Sequence, residues 1–505
     1  MTNQDQKAKQ NYHIFNNSPE ISYELDSLNL FIASAKIDHS PGYYLRRTSS
    51  IFTDVYNGTI TNGDLISKDS YLNKELSYNV YYQYQGKKNH DRLLTVGYKL
   101  VKPVTTTADT VIQSNGAAAT QSLQKSTSGS NEQTIQVDYS HPLKLVTVEA
   151  GAKAVLRKNY SDGAYFNYDF PSRQYIPDEL NNTELNYKQQ VYSIYNSYYL
   201  KKKNWGIRAA LRYEGTLIEN EGDKRNYNNF IPSADVQFKF KSSLLNFTYN
   251  QEIQRPGISQ LNTFKNTANP NFIIVGNPNL VPSIQHDIEA SISSVGKNFF
   301  RVSAHYNFSK NGINSFTSLL NDSVTMLTYR NTGKMTDLGI QLSGNYYFSK
   351  SFYANLNGRV NYVSYDNFIN NNTVKNDGVE FFLIGTTSYS FKKVWRIDSY
   401  TTLGSPYVLN QGKISWWFDN SFSFSRTFYN GRLRTMVAFD NLFTGYRNRS
   451  TSVISNDFTS IKSSSNQVRD ISLSLSYRFG GLKSQIKRNQ KTINNTDIKN
   501  EAPNY

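Results

Sequence analysis

The chain has 505 residues, 38% hydrophobic and 14% aromatic, with 55 Lys and Arg against 39 Asp and Glu for a formal charge of +16. Its 38 Tyr and 29 Phe exclude a disordered chain, which would be poor in rings. The lack of Cys excludes disulfides, thiolate metal sites and thiol nucleophiles, and no run approaches the ~18 apolar residues of a membrane helix. The basic residues are scattered and carry no binding motif, so nucleic acid is not an expected partner.

The opening MTNQDQKAKQNYHIF has no apolar stretch and is not a secretory signal. Residues 1–19 are read as part of an extracellular loop or a disordered start. ISYELDSLNLFIASAKI then reads as a hairpin turning at Asp26 and Ser27, and LSYNVYYQYQ sets Leu76, Tyr78, Val80, Tyr82 and Tyr84 on one face. The polar, low-complexity stretch 102–134 reads as a solvated loop. Further long polar connections are expected at 159–187, 218–231, 252–282, 365–377 and 441–467. Between them come tight turns at Gly86, His141, Lys201, Lys241, Gly296, Ser349, Phe391 and Tyr429. Short and long connections take turns, as they do when one rim of a membrane barrel faces the periplasm and the other the outside.

Later strands repeat the alternation. Trp205, Ile207, Ala209, Leu211 and Tyr213 oppose Arg208, Arg212 and Glu214; Val302, Ala304, Tyr306 and Phe308 oppose Arg301, Ser303 and His305; Leu356, Val360 and Tyr362 oppose Asn357, Arg359 and Asn361. In the closing ISLSLSYRF, Ile471, Leu473, Leu475, Tyr477 and Phe479 oppose Ser472, Ser474, Ser476 and Arg478. Lys203, Lys297, Lys350 and Lys393 each precede an aromatic at a tight turn, the pattern of an interfacial girdle with charges just beyond it. These patterns predict an all-β fold, a transmembrane antiparallel β-barrel over residues 20–480, with lipid outside and a wet or plugged lumen. A polar periplasmic tail is expected over 481–505. About nineteen strands are countable. A closed bacterial barrel wants an even number, so strands are expected before residue 20, toward a total of 22.

Arg208, Arg212, Glu214, Arg301, His305 and Arg359 are the lumen-facing candidates. Such cations could favour anionic solutes, anchor a plug through acidic partners, or pair with Glu214 within the wall. Tyr160, Tyr165, Tyr168 and Tyr175 fall in a predicted long loop and could offer rings to sugars or flat chelates, although Tyr is also ordinary loop material. There is no His-Glu-x-x-His, Gly-x-Ser-x-Gly, Walker or Rossmann pattern. The six histidines are scattered, so neither an enzyme, a metal site nor a cofactor is expected.

One segment is more specific: TYNQEIQRPGISQLNTFKNTANPNFIIVGNPNLVP, residues 248–282. By their own chemistry Arg255 and Pro256 end a strand, because Pro has no N–H, while Gly276, Asn277, Pro278 and Pro282 suit turns. The segment resembles the "RP…LNPF…GNP.L.PE" stretch of outer-membrane β-barrel proteins of the TonB-dependent receptor type in Bacteroidetes. VDYSHPL at Val137, ALRYEGT at Ala210 and LSYRFG at Leu475 are similar too. The chain departs from that pattern at Pro282-Ser283 and at Leu261-Asn262-Thr263-Phe264. The resemblance implies an outer-membrane receptor or transporter barrel for a bulky nutrient of unknown identity. It implies a setting of lipid and lipopolysaccharide, and energy from a TonB complex acting through a plug domain not visible here. The alternatives are a truncated barrel serving as a passive pore or structural protein, and a soluble β-adhesin. Strands this long and the ordered alternation of connections argue against the adhesin.

Overall fold

The computed structural model describes residues 2–53, 60–115, 118–220, 222–269, 272–294, 296–321, 324–369, 372–455, 458–480 and 492–499. Among them nineteen strands build one wall. β1 is interrupted (Thr2–Tyr12, Phe15–Asn17, Glu20–Glu24), and all three pieces pair with β2 (Asn29–Thr53). There follow β3 (Ile60–Gln85), β4 (Leu93–Asn115), β5 (Ala118–Pro142), β6 (Val146–Asp169) and β7 (Thr183–Lys202). β8 is Trp205–Asn220, β9 Asp223–Phe240, β10 Ser243–Pro256, β11 Ser283–Ser294, β12 Phe299–Asn321 and β13 Val324–Tyr347. The wall ends with β14 (Phe352–Ile369), β15 (Asn372–Phe391), β16 (Trp395–Gly404), β17 (Trp417–Phe428), β18 (Leu433–Asp440) and β19 (Asp470–Tyr477). Each strand pairs antiparallel with the next in chain order. No ladder joins β1 to β19 among the described residues.

The wall is inside out relative to a water-soluble protein. Ile135, Ile194, Leu338, Ile340, Leu342 and Val360 are exposed, whereas Thr134, Ser193, Ser303 and Asn361 on the opposite face are buried. Apolar side chains at alternate positions therefore look outward to lipid, and polar side chains look into the lumen. At the short-turn rim the outward rings touch in series. Phe300 meets Tyr346, which meets Phe348; Phe348 meets Phe352, then Tyr389, Phe391, Trp395 and Phe424, with neighbouring centroids 4.7–6.4 Å apart. The turns below include Lys392 and Lys393, with φ of 49° and 58°, two left-handed residues in the three-residue connection between the paired Phe391 and Trp395.

Several connections expected as loops are strand. The stretch 102–134 is the upper half of the β4–β5 hairpin, in continuous register to Asn115 opposite Ala118. Most of 159–187 and 218–231 likewise extends β6–β7 and β8–β9, 365–377 closes β14–β15, and 441–467 holds a separate hairpin, Tyr446–Ile454 with Thr459–Gln467. Residues 2–12 and 15–17, expected in a loop or disordered start, pair with β2. In 102–134 the reason is that both faces carry many Ser, Thr, Asn and Gln side chains, with Asp109, Gln124 and Thr134 buried on the inner one, so no apolar face stands out against a polar one.

Candidate functional site

The inward face of β10–β14 forms a charged cleft of about 460 Å³. Its rungs follow from the register: Thr248, Glu289, His305, Gly339 and Asn361 lie side by side, and Asn250, Asp287, Asn307 and Asp337 form the next row. Gly339 is bare because the His305 ring lies over it: a Cβ there would sit 2.7 Å from the imidazole Cε1. His305 Nε2 stands 3.4 Å from Asp337 Oδ1, and Asn361 Nδ2 donates to Asp337 Oδ2 at 3.4 Å. Arg301 pairs with Glu289, and the Arg359 guanidinium lies 5.4 Å from the Phe382 ring centroid.

A second cluster lies on the lumen face of β5–β10. Arg212 Nε is 3.0 Å from Glu214 Oε1, and Arg208 is 3.6 Å from Glu149. Arg255, placed by sequence among the loop-shaping residues, points into this cluster with its side chain 1% exposed. It donates to Glu214 Oε2 at 2.8 Å and to Thr216 Oγ1 at 2.9 Å. Arg157 is equally buried and donates to Glu132 Oε2 at 2.5 Å and to Gln189 Oε1 at 2.8 Å. All six lumen-facing candidates thus point inward, but to two separate places: Arg208, Arg212 and Glu214 here, Arg301, His305 and Arg359 at the cleft.

A segment enters the lumen from the rim opposite the tight turns. After Pro256 the chain turns into a short helix, α1 (Ile258–Leu261), and the segment to Pro282 folds inward. Leu261 and Leu280 are buried among Leu185 and Tyr187 of β7, Ile218 of β8, Ile313 of β12, and Leu327 and Tyr329 of β13. Phe264 reaches β6, its ring tilted against Tyr165 at 4.8 Å over the bare Gly163. Gly276 allows the crossing: a Cβ would strike the backbone oxygen of Asn262, and stand 2.6 Å from its nitrogen and 2.8 Å from Gln260 O. The Gly276 and Asn277 N–H groups donate to Asn262 O and Gln260 O at 2.6 Å each, and Asn277 Nδ2 donates to Tyr329 O at 2.9 Å. A second hairpin, Tyr407–Leu409 with Gly412–Ile414, also folds in. Val408 N–H donates to Glu380 at 2.5 Å, and Gln411 exchanges hydrogen bonds with Thr317 at 2.7 and 3.1 Å.

Other expectations fare differently. Tyr165 is buried against Phe264, Tyr168 packs edge-on against Phe170 and Tyr175, and all three tyrosines stand on strand rather than in the loop expected. Most of the tail expected over 481–505 lies outside the described residues. Its described part, 492–499, rests on the lumen wall, and Asp497 binds Arg157 at 2.7 and 2.8 Å and Arg255 at 2.9 Å. Sequence reasoning missed Arg157, Glu132, Asp287, Glu289, Asp337 and Asp497. The alternation of Lys153, Val155 and Arg157 against Ala152, Ala154 and Leu156 was the available signal for Arg157.

Residues 72–477 match the outer membrane protein beta-barrel family. No curated protein matches the chain. Among solved structures, the ferric yersiniabactin uptake receptor FyuA from Yersinia pestis is similar at 11% identity and a TM-score of 0.57, covering 94% of this chain and 79% of that one. The ferric-catecholate import receptor Fiu from K12 E. coli is similar at 9% identity and a TM-score of 0.55, covering 94% and 81%. The FrpB iron transporter from Neisseria meningitidis (F3-3 variant) is similar at 11% identity and a TM-score of 0.50, covering 93% and 81%. At these identities the likeness establishes the fold.

Proposed function

The chain belongs to the outer membrane protein beta-barrel family, and from that premise we propose that it is a receptor and transporter barrel for a bulky solute, gated by ligand. The observation that carries this is an apolar contact inside the lumen: a passive pore needs none, whereas here the 257–282 segment buries Leu261 and Leu280 against strands from both sides of its root. Undoing such an apolar contact needs an external source of free energy, from ligand binding outside or work applied from the periplasm. TonB-type coupling, acting through a plug domain, is the source this reading implies.

The cleft beneath presents carboxylates, amides, an imidazole and a guanidinium within one space, which suits a polar solute rich in hydrogen-bonding groups rather than a simple anion. The neighbours named for ferric chelates support a metal chelate as the solute class. The test is uptake of a labelled ferric chelate by host cells with and without the gene, together with conductance of the purified protein in planar bilayers. The reading expects gene-dependent uptake and a barrel that conducts poorly at rest. A large steady conductance without ligand would make it a passive pore.

A further inference from the structure

We propose that Arg157 and Arg255 form a receptor site for a carboxylate carried on an extended chain segment, and that residues 492–499 of this protein are its occupant, an internal stopper in the lumen. Both guanidiniums are buried and already committed on one side to the wall, Arg157 to Glu132 and Gln189, Arg255 to Glu214 and Thr216. Further N–H groups of both converge on one point, where Asp497 takes two bonds from Arg157 and one from Nη1 of Arg255. Charge complements the geometry. Lys153, Arg157, Arg208, Arg212 and Arg255 stand on this face with Glu132, Glu149 and Glu214, and Asp497 adds a carboxylate between the two most buried guanidiniums.

The recognition extends along the segment with the period of a strand. Ile493 is buried against Leu30, Ile32 and Tyr81, beneath the bare Gly97, where a Cβ would stand 3.1 Å from its Cδ1. Asn495 Nδ2 donates to Glu132 at 2.6 Å and Thr134 at 2.9 Å. Main-chain bonds fix the register: Ile493 N–H donates to the Tyr81 hydroxyl at 3.0 Å, Lys153 Nζ to Asn494 O at 2.9 Å, and Arg255 N–H to Asp497 O at 2.6 Å. Ile498 and Lys499 then run parallel to Arg255 and Pro256. The site thus reads Ile-x-Asn-x-Asp, one side chain in two, with ladder bonds giving hold and alternate pockets giving specificity. Its consequence as a stopper rests on the transport reading above; the docking itself does not.

Since the protein has no cysteine, Thr134→Cys with Asn495→Cys in the full chain gives a clean cross-link across the contact. Mild oxidation of the folded, heat-modifiable protein in outer membranes should link most of it. Adding Asp497→Lys should cut the linked fraction about ten-fold, as expected when one member of a buried charge pair is reversed. Excess peptide TINNTDIK should also lower it, and a peptide with Asp replaced by Lys should not. Absence of linkage in folded protein, or linkage indifferent to Asp497→Lys, overturns the proposal. Chelate uptake measured beside linkage separates the two ideas: Asp497-dependent linkage supports the docking site even in a protein that moves no chelate, while chelate uptake without linkage leaves transport standing and removes the stopper.

Discussion

Gly276→Ala tests how the central motif works. The added methyl meets main-chain atoms of Asn262 and Gln260, none of which is the end of a flexible side chain. Overpacking of this kind costs about 1–3 kcal/mol. The two 2.6 Å backbone bonds from Gly276 and Asn277 contribute about 0.5–1.5 kcal/mol each and are lost if the strands of the loop separate. A loss of roughly 2–4 kcal/mol opposes the burial of Leu261, Leu280 and Phe264, which contributes about 1.5–3 kcal/mol per side chain. The docked state should therefore weaken on the order of 30-fold or more relative to the undocked, with the wall untouched. Hydrogen exchange on the purified protein reads this directly: amides of 257–282 should lose protection by that factor while those of β11–β14 keep theirs. Unchanged exchange in the loop would refute the close approach as the reason for glycine at 276.

Three more outcomes follow from the geometry. Ile340→Arg places a charge on the lipid face and should destabilise the folded barrel in vesicles by about 2–4 kcal/mol, whereas Gln341→Arg on the lumen side should cost less than about 1 kcal/mol; equal effects in urea unfolding would reverse the assignment of faces. Trp395→Ala removes contacts to Phe391 and Phe424 and the 4.6 Å approach of Arg426, worth about 1–3 kcal/mol in the same assay. In the β4–β5 hairpin above the bilayer, burial pushes the Asp109 carboxyl up to about 6, against the opposing pull of Arg46. Its folded affinity for a proton exceeds the unfolded one, so the hairpin is favoured below the ordinary carboxylate range and loses that help as pH rises through about 6. Exchange protection across 93–142 should rise from pH 7 to pH 5, and Asp109→Asn should flatten the profile.

The stopper has its own pH signature. Burial alone would raise Asp497, but the hydrogen bonds and charge of Arg157 and then the charge of Arg255 outweigh it and hold the carboxyl far below the usual range. A depressed carboxyl stabilises its docked form above the unfolded pKa and loses that only as pH falls through the folded one, so docking should be constant from pH 8 to about 5.

What the sequence made legible was whatever lipid imposes. Outward residues such as Val302, Ala304 and Tyr306 alternate because hydrocarbon meets only one face, and the strand count, the tight turns and the rings beside their lysines could all be read from that. Beyond the lipid the outward face can be polar as well, and the constraint disappears. The Ser/Thr/Gln stretch at 102–134 looks like a solvated loop and is a ladder. Arg208 and Glu214 were found because they lie in alternating strands, while Arg157 sits at the edge of a stretch read as loop. Asp497 had no local signal at all, since its meaning lies with partners 340 and 242 positions away.

Strand length varies around the wall in a way that bears on how the outside world meets this molecule. β2 to β6 run 23 to 26 residues, whereas β16 to β19 run 8 to 12. With about 3.3 Å of rise per residue and the usual tilt, the tall flank overtops the short one by roughly 30 Å. The mouth is then a scoop, raised on one side like a collar. Large visitors such as antibodies or phage tails would strike the polar crest of β2–β6 on that side, and on the other the separate hairpin Tyr446–Ile454 with Thr459–Gln467 that stands over β18 and β19.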